Sequence, residues 1–251
     1  MPHTFTIPIF ARKQSLDNSR ILVIPDLHIP FQHIDAFDFL DKINHLLKPD
    51  LVISLGDELD LNSFSFHEKD SDLFSPGHEL QRAIAQISYL HEIFPKLSLM
   101  ESNHGSLVYR RAKAGGLPRH VLKSYADVLQ VGEGWTWHDR LIVKMSNGED
   151  CLFVHSLGAN VLQVSQLHGM NVVQGHSHSL FELRYWQSTS GLRFACTAGC
   201  LIDDRSMAFA YNKLQPKRPI LGAVFIDNGI PSLVPMLLDN DGRWKGTRIK
   251  K

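Results

Sequence analysis

The sequence predicts a mixed α/β fold, a four-layer α/β/β/α sandwich of two mixed sheets flanked by helices. Three observations predict it. Continuous apolar runs at 21–24 and 51–55 bracket a segment whose apolar residues recur every three to four positions, which makes a strand–helix–strand unit with a parallel pair. The same alternation continues to a third apolar run at 97–100. Beyond Trp137 the texture changes to short strand-like runs punctuated by turn residues, which supplies a second sheet.

Each element has its own signal. Residues 1–20 read as an extended arm with a short strand at 5–9. The run Ile21-Leu22-Val23-Ile24, closed by Pro25, has no alternation and so belongs to a strand buried on both faces. Ile34, Phe37, Leu40, Ile43, Leu46 and Leu47 line one face of a helix over 33–47, and Pro49 stops it. A second buried strand covers 51–55, with Gly56 opening a turn. Residues 61–76 are polar and aromatic, a loop or broken helix. Leu80, Ile84, Ile87 and Leu90 mark a helix over 77–94, and 97–100 is a third strand. Residues 107–130 carry helical pieces broken by Gly115-Gly116 and Pro118. Strands at 141–145 and 151–155 flank Asn147-Gly148, a hairpin signal. A short helix at 161–168 precedes a strand at 172–174, and further strands follow at 181–186, 193–197, 221–226 and 233–237. With no linker to divide it, 1–251 reads as one domain, ending in a basic tail at 243–251.

Composition bounds the function. Lys plus Arg number 26 and Asp plus Glu 26, so the formal net charge is zero, with basic residues bunched only at 213–218 and in the tail. That balance argues against stable nucleic-acid binding, which draws on a basic excess. The 3 cysteines form no paired framework, which suits a reducing compartment. No apolar stretch reaches the ~18 residues of a membrane span, and the N-terminus has no leader pattern. These features read as a soluble cytoplasmic protein, in the host cytoplasm if the source is viral.

The chemistry lies where apolar runs end. Asp26-Leu27-His28, Gly56-Asp57-Glu58-Leu59-Asp60, Asn103-His104, His155 and Gly175-His176-Ser177-His178 each follow such a run. Functional crevices in α/β sheets lie beyond the carboxyl ends of strands, so these segments can meet in one cleft. Carboxylate, amide and imidazole donors without thiolate suit a hydrolytic metal centre rather than a closed structural zinc site. Asp26 and His28 are two apart, so in an extended chain both point the same way and can share one ion; the same holds for His176 and His178. The remaining histidines at 33, 45, 67, 78 and 91 read as surface residues.

The order D-x-H, G-D-x-x-D, N-H, lone His, G-H-x-H resembles the calcineurin-like metallophosphoesterase superfamily over residues 21–178. Ser102 and Gly105 depart from the glycine and the acid that usually flank its Asn-His pair. The resemblance implies the same sandwich fold and two divalent cations, whether manganese, cobalt, iron, nickel, zinc or magnesium. It implies that Asp26, His28, Asp57 and His178 hold one ion, that Asp57, Asn103, His155 and His176 hold the other, and that Asp57 bridges them. It further implies His104 as general acid and Asp60 as the group that orients and charges it.

The texture around these blocks is similar to compact phosphoesterases of phage genomes, among them deoxynucleoside 5′-monophosphatases. The expectation is therefore a phosphomonoesterase acting on a small nucleotide. Arg110 and Arg111 are candidates to clamp its phosphate, and Phe64, Phe66, Phe181, Tyr185 and Trp186 to stack its base. The alternative is a phosphodiesterase or DNA nuclease of the same superfamily. Leu61, where protein phosphatases carry Arg, argues against that class, and the intact ligand set argues against a degenerate scaffold.

Overall fold

The computed structural model describes residues 18–65, 74–206 and 217–246. The expected strand at 5–9, residue Phe66 and most of the 213–218 basic run lie outside these residues.

Two mixed sheets pack against each other, with helices on both outer faces. The first has the order β11(Ile230–Pro235), β10(Gly222–Asp227), β1(Arg20–Ile24), β2(Leu51–Ser54), β3(Leu97–Met100), β4(Trp135–His138). The second has the order β5(Leu141–Lys144), β6(Asp150–Val154), β7(Asn171–Gln174), β9(Gly191–Ala198), β8(Phe181–Ser188). β1 to β4 run parallel to one another, and β10 and β11 extend that sheet antiparallel. In the second sheet β6, β7 and β9 run parallel, and β5 and β8 form antiparallel edges.

The apolar run of β1 shows why the sandwich forms. Leu22 and Ile24 face α1(Ala36–Leu47) and α2(Pro76–Ile93), among Phe39, Leu40, Ile43, Ile87 and Leu90. Ile21 and Val23 face the other sheet, among Ile53, Phe153, Val173 and Cys196. On the far side Val161 and Val164 of α5(Val161–His168) cover Leu152, Val172 and Ala195. A strand apolar on both faces needs two covers, and the alternation of its side chains assigns one set to each.

Boundaries and one element differ from expectation. α1 begins at Ala36, after Asp35, rather than at His33. His33 is not a surface residue: it is buried, its Nδ1 accepts from the Asp35 N–H at 3.1 Å and its Nε2 donates to the Gly242 carbonyl at 3.0 Å. The start of the basic tail docks beside it. Arg243 Nε donates to both oxygens of Asp35 at 3.1 and 2.9 Å, and the Trp244 ring lies edge-on to Phe39. β4 has no counterpart in the sequence reading. The 107–130 region resolves into α3(Leu107–Ala114), a 3-10 turn at Arg119–Val121 and α4(Tyr125–Leu129).

Candidate metal centre

The carboxyl ends of β1, β2, β3, β6 and β7 deliver the ligand-type residues to one cleft. Asp26, His28, Asp57 and His178 bring donor atoms within 4.8 Å of one another, and so do Asp57, His155 and His176. Asp57 belongs to both groups. A third group joins His28, Asp60 and His104. Asn103 enters through its side chain, its Oδ1 lying 2.7 Å from His155 Nε2.

The local backbone, rather than extended pairing, makes this convergence. His28 (φ 53°), Asp57 (φ 47°) and His176 (φ 68°) are left-handed, so neither D-x-H nor H-x-H is extended. His176 and His178 accordingly fall in different groups. The turns are held by hydrogen bonds between loops. The Asp57 carbonyl accepts from the N–H groups of Leu27 at 3.1 Å and His28 at 2.8 Å, and the Glu58 carbonyl accepts from Ile29 at 2.9 Å. The Asp26 Oδ2 accepts from the His176 N–H at 2.8 Å, and the Asp57 Oδ1 accepts from the His104 N–H at 3.2 Å. Gly56 is required twice over: its φ is +94°, and a Cβ there would stand 2.6 Å from the Met100 carbonyl oxygen.

His28 and His155 are each oriented by their second nitrogen. His28 Nδ1 donates to Asp60 Oδ1 at 2.6 Å, which turns Nε2 toward Asp57 Oδ2, 3.4 Å away. His155 Nδ1 donates to the Leu55 carbonyl at 2.9 Å, turning its Nε2 toward Asp57 Oδ2 at 3.4 Å. His178 Nε2 lies 3.1 Å from Asp26 Oδ2. These are the carboxylate–histidine and carbonyl–histidine arrangements that fix a tautomer for metal binding. His104 Nδ1 donates to the backbone carbonyl of Asp60, while the Asp60 carboxylate is 3.7 Å away. The close partner of the Asp60 carboxylate is thus His28, a pairing the sequence does not suggest.

The donor set fits divalent cations. Asp26, His28, Asp57 and Asp60 are almost fully buried, and buried Asp26 Oδ1 and Asp60 Oδ2 have no hydrogen-bond partner. Buried carboxylate oxygens are costly when unpaired, and a cation removes that cost. Burial works against a charged His28, but hydrogen bonds and charge from Asp57 and Asp60 outweigh it and raise its pKa to about 10. Burial also works against ionised Asp57, yet its hydrogen bond to His28 and the nearby imidazoles hold it far below the usual carboxylate range. A cation placed between these carboxylates would take over the charge that the His28 proton balances. His176 at the rim is pushed down, chiefly by partial burial and then by His155.

The expected substrate residues are less concentrated. Arg111 Nε donates to the Phe64 carbonyl at 2.8 Å and its Nη2 to the Ser65 carbonyl, so this guanidinium braces α3 against the 3-10 turn Asn62–Phe64. Arg110 lies exposed on α3. Phe64 and Phe181 pack against the cores, and the Trp186 indole donates to Ser165 Oγ at 2.7 Å. Tyr185 is partly exposed on β8. One residue beside the centre escaped the sequence reading. Glu58, next to Asp57, is buried and accepts from the Trp137 indole N–H at 3.0 Å. Burial pushes its carboxyl up to about 7, with the Asp57 charge adding to the rise. Its place inside the G-D-x-x-D block was the available signal.

No protein-family model matches the chain, and no curated protein sequence does. Solved structures do match. The chain is similar to Vps29 of Chaetomium thermophilum, at 16% identity over 90% of each chain with a TM-score of 0.43. It is similar to YfcE, a phosphoesterase from E. coli, at 13% identity over 90% of this chain and 97% of that one, with a TM-score of 0.45. It is also similar to vacuolar protein sorting 29 of Cryptosporidium parvum, at 14% identity over 86% and 95%, with a TM-score of 0.38.

Proposed function

We propose that this chain is a two-metal phosphoesterase that hydrolyses a nucleotide phosphate ester, with nucleoside 5′-monophosphates as the leading small substrates. The observation that carries this reading is the pair of donor groups that share Asp57. Asp26, His28, Asp57 and His178 would hold one cation, and Asp57, Asn103, His155 and His176 the other. When bound, the cations would supply Lewis acidity, activating water and neutralising charge on the phosphoryl oxygens.

The chain's own residues supply the rest. His104 Nδ1 is committed to the Asp60 carbonyl, so Nε2 is the nitrogen left to give a proton to the leaving alkoxide. The Asp60 carboxylate lies 3.7 Å from that same Nδ1, on the side of the ring away from Nε2. The His104 N–H bonded to Asp57 Oδ1 ties the acid to the shared ligand, so proton donor and metal ligands keep one geometry.

The test is metal content and turnover together. Chelation should abolish hydrolysis of nucleoside monophosphates, and added manganese or cobalt should restore it. Asp57→Asn should lose both ions and Asp26→Asn mainly one, read by elemental analysis. A fully active protein holding a single ion per chain would show that Asp57 does not bridge. A second reading, cleavage of diesters, draws on one observation, the basic surface described next. Comparing a nucleoside monophosphate with a generic diester separates the two.

A further inference from the structure

The balanced net charge hides a local asymmetry beside the centre. Between Ser102 and Ala126 there is no Asp or Glu, yet this stretch carries Arg110, Arg111, Lys113, Arg119, His120 and Lys123. It forms α3 and the 3-10 turn Arg119–Val121, and all six basic side chains are exposed. Exposed Tyr109, Leu117 and Val121 are interleaved with them. The Arg119 guanidinium sits 5.4 Å from the Tyr109 ring centroid.

This surface is rigidly joined to the candidate acid. α3 starts three residues after His104, and the Leu107 N–H bonds the His104 carbonyl at 2.9 Å. Arg111 fixes the same helix to the loop that follows Asp60. The eight residues of α3 span about 12 Å. The acids that flank this stretch in sequence are Glu101 and Asp127. Glu101 approaches Arg119 at 3.8 Å in an exposed pair, and Asp127 accepts from the Ser124 hydroxyl at 2.5 Å. Among the described residues, no carboxylate lies within ion-pair distance of Lys113 or Lys123.

Exposed cations interleaved with apolar and aromatic groups, adjoining a centre proposed to act on phosphate esters, match one kind of ligand. A single strand of nucleic acid offers phosphates to the cations and base faces to the apolar side chains. We propose that the α3 and Arg119–Val121 surface binds single-stranded nucleic acid and delivers its terminal phosphate to the metal ligands. This rests on the phosphoesterase reading and narrows its substrate from a free nucleotide to the end of a strand.

The probe is a short 5′-phosphorylated oligothymidylate with a 3′ fluorophore, titrated with the full chain in chelator and followed by anisotropy over a range of salt. Binding should weaken with salt, and Lys113→Ala, Arg119→Ala and Lys123→Ala should each reduce the log–log slope by about 0.7, the value per phosphate contact on a single strand. With metal restored, the triple variant should raise the ratio of KM for the oligonucleotide to KM for nitrophenyl phosphate about tenfold, with the ratio of kcat values unmoved. Salt-independent binding, or equal binding by the triple variant, overturns the proposal. So does displacement of the strand by polyglutamate at equal charge, which would assign the surface to acidic proteins. Strand binding with the expected slopes but no hydrolysis of any phosphate ester would support the surface and overturn the phosphoesterase reading instead.

Discussion

Gly175→Ala tests the metal centre through a single methyl group. Gly175 follows β7, and its φ is not in the left-handed range, so alanine brings no backbone strain there. What it meets is Asp26: an ideal Cβ would stand 2.4 Å from Oδ1, 3.4 Å from Cγ and 3.2 Å from Leu55 Cβ. Ordinary contact begins near 3.4 Å, so the carboxylate must retreat by about 1 Å. It cannot do so freely, because it is buried and its Oδ2 is held by the His176 N–H and faces His178 Nε2. Overpacking of this kind costs about 1–3 kcal/mol, partly offset by about 0.4–1 kcal/mol from the less flexible unfolded chain. We expect a net loss of about 1–2 kcal/mol in urea unfolding. Manganese affinity, measured by competition with a chelator, should fall about 10–100-fold, the range seen when a ligand's support is disturbed. Gly132→Ala is the control, since nothing lies within 4 Å of its Cβ position. If Gly175→Ala loses stability but binds manganese as tightly as the parent, the Asp26 carboxylate is not a metal ligand.

Three further outcomes follow from the same geometry. His104→Ala should keep its metals and lose about 10²–10⁴ in kcat on alkyl phosphates, with a much smaller loss on nitrophenyl phosphate, whose leaving group needs little protonation. An equal loss on both would make His104 a binding residue. Asp60→Asn should weaken metal affinity about tenfold by removing the charge behind His28, while keeping the leaving-group dependence, because His104 leans on the backbone carbonyl of residue 60; unchanged affinity would refute the His28 pairing. Arg243 holds the Asp35 carboxyl down to about 2, below its ordinary 3.8. A depressed carboxyl stabilises the fold above its unfolded pKa and loses that contribution as pH falls through its folded one. The urea midpoint of Arg243→Ala should therefore lie below the parent's near neutrality, and the gap should close as pH drops from about 4 toward 2; a gap that stays constant with pH would show that the ion pair is not its source.

Much of this architecture was legible because the residues obey local rules. β1 and β2 are apolar on both faces, and that alone requires cover on both sides. β4 was not legible: Trp-Thr-Trp-His is short, with its later residues partly or well exposed, and it is a strand because β3 offers it a parallel edge. The β10–β11 hairpin had an unread signal in Asn228-Gly229, both left-handed in the structure. At the site, the donor residues that converge could be read from the chain, but their directions could not. His28, Asp57 and His176 adopt a conformation that costs non-glycine residues roughly 1–2 kcal/mol each, so no propensity announces it.

The compensation lies in contacts between segments distant in sequence. The 26–29 and 57–60 segments zip together by hydrogen bonds in both directions, ending with the Asp60 N–H on the Ile29 carbonyl at 3.0 Å. That pairing carries Asp60 to His28 and, through its carbonyl, to His104. One carboxylate thereby orients the proposed metal ligand His28 while its own backbone orients the proposed proton donor His104. The strained turns persist because this zipper over-determines them, and the same zipper would couple the proposed metal binding to the placement of the proposed acid. Residue type names the donors, and the pairing of the two loops decides which imidazole each carboxylate serves.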